Sequence, residues 1–178
     1  MKKIKKRKNF DVEYQSRAVD AEKIDTQTSA EDWDKKELRN RAAYFLLNGT
    51  PEFSVNEQEN GRVKLLANER DFYAAKLSGI SQFNVRVYRF NEKNAEIFST
   101  LETLKDGKLG AMEEAYLMKR LIKEYGFTQD DVAALIGKSR PAVANTLRLL
   151  TLAPEVVGLV ESGQFSAGHR FTHYSASQ

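Results

Sequence analysis

The chain has 178 residues, enough for two small domains, and 41% of them are hydrophobic, so it is not a wholly disordered protein. Its formal net charge of +3 is only mildly basic, and the absence of cysteine excludes a disulfide framework and a cysteine-based zinc finger. A cysteine-free composition fits a cytoplasmic protein. No segment approaches the roughly 20 apolar residues that span a bilayer, so no membrane partner is expected.

The start of the chain carries most of the excess positive charge. The cations of this run are Lys2, Lys3, Lys5, Lys6, Arg7 and Lys8. No apolar core follows them, so the run is not a signal peptide. We interpret residues 1–20 as a flexible, solvated basic arm, and such arms often bind nucleic acid without sequence preference.

The next segment predicts a helix that begins near Ser29 and ends at Gly49 and Pro51. Ser29 and Asp32 have the spacing of a capping pair at its start. The side chains expected to pack inward from this helix are Trp33, Leu38, Ala42, Phe45 and Leu46.

Two strands and a second helix are predicted further along. Residues 63–65 and 83–87 alternate apolar with polar side chains, as half-buried strands do. Between them, residues 72–77 suit a helix that Gly79 closes. The mixture of elements predicts an α+β domain.

Residues 121–150 predict a helix followed by a helix-turn-helix. Thr128 and Asp131 form a T-x-x-D pattern that caps the first helix of the pair, and Gly137 suits the tight turn that follows it. Ser139 is placed to cap the second helix, and Pro141 lies in its first turn, where a missing N–H costs nothing. Helix pairs with a glycine turn are also common in all-helical proteins, so spacing alone leaves DNA binding open.

The second helix of the pair has the chemistry of a recognition helix. Val143, Leu147 and Leu150 are expected to face inward, with Leu147 filling the role that an aliphatic residue at Thr146 has in many such motifs. Cations and a hydroxyl at the helix start offer donors to phosphate, and the next turn offers side chains to base edges. These residues are Lys138, Ser139, Arg140, Asn145, Thr146 and Arg148.

Residues 108–170 resemble the central DNA-binding domain of the ParB family of chromosome and plasmid partition proteins. The resemblance includes M-E-E-A at 112–115, G-K-S-R at 137–140, V-A-N-T-L-R-L-L at 143–150 and S-A-G-H at 166–169. On this resemblance the predicted DNA-binding residues are Gln129, Lys138, Ser139, Arg140, Asn145, Thr146, Arg148, Gly168 and His169.

Residues 62–80 resemble the N-terminal domain of the same family more faintly. The resemblance implies an α+β protein, with a small ParB- and sulfiredoxin-like N-terminal domain at 21–106, an all-α helix-turn-helix domain at 108–170 and a tail at 171–178. It also leads us to expect that the family's C-terminal dimerisation domain is missing here.

The resemblance further implies a CTP site with Mg²⁺, formed by a G-E-R-R motif and an E-N-x-Q-R motif. Here the motifs read N-E-R-D at 68–71 and E-T-L-K-D at 102–106, so both glutamates remain and both terminal arginines have become aspartates. Glu69, Arg70 and Glu102 are the candidate nucleotide-binding residues. Because each aspartate adds repulsion toward a triphosphate, we expect the site to be degenerate and no cofactor to be bound.

No catalytic residue and no metal site are predicted. His169 and His173 have the i, i+4 spacing of two ligands, but no acid or cysteine lies close enough in sequence to complete the set. No G-x-x-x-x-G-K-[ST] loop occurs. Glu113 and Glu114 are expected on a solvated helix face.

The sequence therefore predicts a cytoplasmic, nucleoid-associated protein that binds double-stranded DNA at a palindromic site, in plasmid or chromosome partition or related regulation. A ParA-type ATPase and a second copy of the chain are the expected partners. Two alternatives remain open: a CTP-hydrolysing partition clamp, and a nuclease-like or protein-interaction domain that the helix-turn-helix targets.

Overall fold

A computed structural model describes residues 13–152 of the chain. They divide into two compact units, with the boundary between Glu102 and Thr103. The basic run, Gly168, His169, His173 and the tail at 171–178 lie outside the described residues.

The first unit contains a mixed five-stranded sheet. Its strands are β1 (Gln15–Asp20), β2 (Ile24–Asp25), β3 (Phe53–Glu57), β4 (Val63–Leu65) and β5 (Gln82–Tyr88). Their order is β1-β5-β3-β4-β2, in which β3 runs parallel to β5 and antiparallel to β4. The two strands predicted from alternating hydrophobicity are β4 and β5, and the predicted α+β class is confirmed.

Two helices of this unit, α1 (Lys35–Asn48) and α2 (Glu69–Leu77), pack against each other and contribute to one core with the sheet. Phe53, Phe72 and Phe83 lie in mutual contact at its centre, with ring centroids 5.2–5.8 Å apart. All three are almost fully buried. Replacing one of them by alanine is expected to cost about 3–5 kcal/mol of unfolding free energy.

The start and inner face of α1 differ from the prediction. Ser29 and Asp32 cap a single turn of 3-10 helix, and α1 begins later, with the Asp34 carboxylate accepting from the Glu37 N–H at 2.7 Å. Leu46, expected inside, is 67% exposed. The buried stripe of α1 is Leu38, Ala42 and Phe45. Leu46 lies about 100° around the helix from Phe45, which takes it off that stripe.

Four further helices follow: α3 (Glu92–Asp106), α4 (Ala111–Lys123), α5 (Gln129–Ile136) and α6 (Arg140–Arg148), with a turn of 3-10 helix at Leu149–Thr151. The second unit buries Met118 and Leu121 of α4, Val132 of α5 and Val143 of α6. Among residues 13–152, no helix combines the length and the hydrophobicity needed to cross a bilayer.

Candidate nucleic-acid interface

Helix α5 and the turn after it have the predicted local structure. The Thr128 hydroxyl accepts from the Asp131 N–H at 3.1 Å, and the Asp131 carboxylate accepts from the Thr128 N–H at 2.9 Å. Gly137 then adopts φ 71°, a left-handed conformation that side chains disfavour, and its N–H donates to the Ala133 carbonyl. These contacts end α5 and redirect the chain into α6.

The start of α6 is held by Ser139 and Pro141. The Ser139 hydroxyl accepts from the Ala142 N–H at 3.3 Å, and Pro141 occupies the first turn. Because no acid lies in this turn, the positive end of the helix dipole is unopposed within α6 itself. Such a helix start favours an approaching anion, although it does not identify one.

Part of the second unit's surface is an open groove of about 600 Å³ between the start of α5 and one face of α6. Its lining residues are Gln129, Arg140, Pro141, Ala144, Asn145, Leu147, Arg148 and Thr151. Four of the predicted DNA-binding residues, Gln129, Arg140, Asn145 and Arg148, thus meet on one surface. Leu147, expected to face inward, is half-buried and lines the same groove, and Leu149 is buried instead.

The polar groups of the groove are only loosely held. Arg140 Nε lies 3.5 Å from the Asp130 carboxylate, and both side chains are mostly exposed. Arg148 Nη1 donates to Asn145 Oδ1 at 3.4 Å. That contact leaves the Asn145 amide N–H groups available as donors. Long contacts between exposed groups contribute little to stability, so a ligand can displace them.

Lys138 and Thr146 are placed differently from these four residues. The Lys138 ammonium pairs with the carboxylate of Glu114 on α4, whose side chain is only 17% exposed. The predicted solvated face is exposed at Glu113 but half-buried at Glu114, because α4 packs against α5 and α6 and brings the turn after α5 within reach of Glu114. Thr146 is half-buried and does not line the groove.

A second polar cluster lies at the start of α2, where Glu69 and Arg70 were candidate nucleotide-binding residues. The Glu69 carboxylate accepts from the N–H groups of Gln27, at 2.6 Å, and Thr28, at 2.9 Å, and from the Thr28 hydroxyl. Arg70 Nη1 donates to the Glu37 carboxylate at 2.5 Å. Glu102, the third candidate, lies on α3 and is half-buried.

Asp71 does not stand as an exposed anion beside a ligand site. It is 5% exposed, and both its oxygens accept from the Arg41 guanidinium, from Nε and Nη2, each at 2.7 Å. Sequence reasoning missed Arg41 and Glu37, because neither belongs to a recognisable motif. A buried acid requires such a partner, but the burial of Asp71 is visible only in the folded unit, so the sequence carried no signal for this pair.

Comparisons with known proteins agree with this architecture. Residues 107–171 match the family model of the ParB HTH domain. The chain is 36% identical over 108 residues to a probable chromosome-partitioning protein ParB of Coxiella burnetii and 39% identical over 105 residues to stage 0 sporulation protein J of Bacillus subtilis. These alignments cover 61% and 59% of this chain, and 37% of each relative.

A solved structure extends the similarity to both units. The C-terminally truncated chromosome-partitioning protein ParB from Caulobacter crescentus, complexed to the centromeric parS site, superposes with a TM-score of 0.74 at 27% identity. The superposition covers 86% of this chain and 81% of that one.

An α+β unit followed by a helix-turn-helix unit defines a two-domain protein of the helix-turn-helix class. With the matches above, residues 107–171 carry the ParB HTH domain, and the chain is similar to ParB chromosome-partitioning proteins. It spans less than half the length of the curated relatives it matches.

The residues at the start of α2 do not fit the CTP that the family implies. A triphosphate requires donors, but Arg70 Nη1 is already bound to Glu37, and the Nε of Arg70, which lacks a hydrogen-bond partner, is buried. The buried Asp71 stands where the family has an arginine, and it is paired with Arg41. The Glu69 carboxylate has three donors from the chain itself. Across residues 13–152, no group of three or more histidine or acidic side chains is arranged to hold a metal ion.

Proposed function

We propose that the chain is a site-specific double-stranded DNA-binding protein of the ParB type, acting in plasmid or chromosome partition or in related regulation. The observation that carries this proposal is the groove of the helix-turn-helix, where Gln129, Arg140, Asn145 and Arg148 meet at the start of α5 and along α6. The start of α2 presents no such exposed set of polar side chains, because Arg70 is bound to Glu37 and Asp71 to Arg41.

Each groove residue has a distinct role in this proposal. Arg140, at the first position of α6, presents two parallel donors that match the O6 and N7 acceptors of guanine. Asn145, little more than one turn later, presents an amide that matches adenine. Arg148 and the backbone N–H groups at the start of α6 contact phosphate and fix the register of the helix on the duplex.

We propose that two copies read a palindromic site, because a helix-turn-helix protein with two-fold symmetry presents one recognition helix to each half-site. The Caulobacter relative is complexed to a centromeric parS site. By analogy, this chain is associated with the nucleoid in the cytoplasm and has a ParA-type ATPase as its partner. DNA binding itself needs neither catalysis nor CTP.

Selection from a randomised duplex library tests the proposal. Purified full-length chain is incubated with the library at about 150 mM salt, and bound duplexes are sequenced over several rounds. The expected result is enrichment of one palindromic sequence, lost in the Arg140→Ala variant and retained in Lys119→Ala, which removes one exposed cation outside the groove. Failure to enrich any sequence contradicts the proposal.

A further inference from the structure

We infer that two ion pairs between α1 and α2, Glu37 with Arg70 and Arg41 with Asp71, have replaced nucleotide recognition at the start of α2. In this inference Arg41 neutralises the buried charge of Asp71. Contacts within the N-terminal unit then order the first turn of α2, and CTP is not required for that order. This inference concerns the first unit alone, and it stands or falls separately from DNA binding.

The four residues of the cluster alternate in charge. Glu37 and Arg41 are separated by four residues and so share a face of α1, whereas Arg70 and Asp71 are consecutive on α2. The Glu37 carboxylate meets Arg70 at 2.5 Å, and Arg41 meets Asp71 through two bonds of 2.7 Å. Each residue of α1 thus neutralises one residue of α2.

The geometry at Asp71 is that of a structural pair. Two parallel N–H to oxygen bonds between a guanidinium and a carboxylate form the strongest class of side-chain hydrogen bond. The Arg41 guanidinium also lies 5.4 Å from the ring centroid of Phe45, which is buried on the same helix and helps to hold the arginine in this orientation. The acid is buried, so its charge depends on this partner.

The remaining charged residue in the first turn of α2, Glu69, is bound by the loop that contains Gln27 and Thr28. Gln27 and Thr28 direct two backbone N–H groups at Glu69, and Thr28 adds its hydroxyl. This arrangement of donors around a carboxylate resembles an anion-binding loop, with Glu69 as the anion. Asn68 stands where the family motif has glycine, and it adopts φ 64°, a left-handed conformation that glycine favours. Its side chain forms no capping hydrogen bond to α2.

The charge cluster changes how the family pattern could be restored. Asp71→Arg alone places a second guanidinium beside Arg41 and leaves both without the carboxylate. A variant that restores the motif must therefore also remove the charge of Arg41, as in Arg41→Leu/Asp71→Arg. Any attempt that alters only the motif residues is expected to destabilise the unit without producing CTP affinity.

The experiment combines thermal unfolding with nucleotide addition, using the full chain. Wild type, Arg41→Leu, Asp71→Leu and the double leucine variant are compared, with Lys36→Leu as the control for loss of an exposed cation on α1. Each single variant at the pair is expected to lower the Tm of the N-terminal unit by at least about 5 °C, because it leaves one ion without its partner. The double variant is expected to recover part of that loss.

Addition of 1 mM CTP with Mg²⁺ provides the second measurement, and ATP provides the matched nucleotide. No change in the wild-type Tm is expected, since a ligand stabilises only when its concentration is comparable with its Kd or higher. A wild-type Tm that rises with CTP overturns the inference. So does an Arg41→Leu variant as stable as Lys36→Leu, or a double variant less stable than both singles. If Arg41→Leu fails to fold while Lys36→Leu folds, the pair is supported.

Discussion

Helices α2 and α6 both begin with a short run of charged and polar residues, yet the two runs are used differently. At the start of α2, Glu69, Arg70 and Asp71 are all bound to other parts of the same unit. At the start of α6, Arg140 is 65% exposed and reaches one carboxylate, at 3.5 Å. An arginine in the first turn is therefore bound within the unit at the start of α2 and is open to a ligand at the start of α6.

Burial of the two helices explains the difference. Helix α2 buries Phe72, Ala74 and Ala75 against the core, so charged neighbours in its first turn must find partners inside the protein. Helix α6 fully buries only Val143, and its exposed residues are Arg140, Pro141, Asn145 and Arg148. Charged side chains in the first turn of a helix therefore indicate a ligand site only when they are not already paired within the protein.

The largest effect is expected from breaking the closed helix start. Arg41→Ala removes both hydrogen bonds to the buried Asp71 and is predicted to reduce the free energy of unfolding by about 3 kcal/mol, the lower end for broken buried pairs because Arg41 is itself partly exposed. Urea denaturation measures this change. DNA affinity per folded molecule is expected to stay unchanged. A loss below about 1 kcal/mol would show that the pair contributes no more than a surface contact.

A change at the open helix start should affect binding and leave stability almost unaltered. Arg140→Ala is predicted to weaken binding to the selected palindrome by about 1–3 kcal/mol, because it removes a base-directed or phosphate-directed cation. Its free energy of unfolding should stay within about 0.5 kcal/mol of wild type, as for other exposed substitutions. Fluorescence anisotropy and urea denaturation give the two values. A large loss of stability would mean that Arg140 supports the fold.

Lys138 offers an intermediate case, because Glu114 already holds it. Glu114→Gln removes that carboxylate charge, so we expect affinity for random duplex to rise several-fold and the slope of log affinity against log salt to steepen by up to about 0.9. Glu124→Gln, at an exposed acid paired with Arg120 on α4, is the matched control. If Glu114→Gln and Glu124→Gln change the affinity and the salt slope equally, the predicted contact of Lys138 with phosphate is contradicted.

The smallest effect concerns a surface pair of the sheet. Hydrogen bonds from Arg62 lower the pKa of Asp25 below its ordinary value of 3.8. A carboxylate with a depressed folded-state pKa stabilises the protein above its unfolded-state pKa, and that contribution is lost as the pH falls through the folded-state value. Asp25→Asn should therefore lower stability at pH 7 by less than about 0.5 kcal/mol, after allowance for solvent screening. The difference should shrink in a pH series of Tm values as the pH falls below 3.8, and a difference that stays constant there is not electrostatic.

Local signals account for the elements that the sequence predicted correctly. The Thr128 and Asp131 pair, Gly137, and Ser139 with Pro141 each act within a few residues of the chain, so their spacing is visible in the sequence. The alternation in β4 and β5 is local in the same sense. Strand β1 lies within residues 1–20, and the interpretation of these as a flexible arm is wrong for residues 15–20, whose sequence Q-S-R-A-V-D shows no alternation of hydrophobicity.

Contacts between distant residues could not be predicted in this way. Arg41 and Asp71 are 30 residues apart, and Lys138 and Glu114 are 24 apart, so their pairing depends on how the helices pack. The sequence also placed Gln129, Arg140, Asn145 and Arg148 in one candidate set without showing that they line one groove. Charge pairing, which decides which of these groups are available, became visible only in the folded unit.

The most direct test of base reading through the groove is the ratio of affinities for the selected palindrome and for a scrambled duplex of equal length. Asn145→Ala removes the amide that is expected to reach a base edge, while it leaves the charge unchanged. The predicted result is a loss of about 1–3 kcal/mol on the palindrome with unchanged affinity for the scrambled duplex. Equal losses on both duplexes, or none on either, would contradict recognition of DNA sequence by this groove.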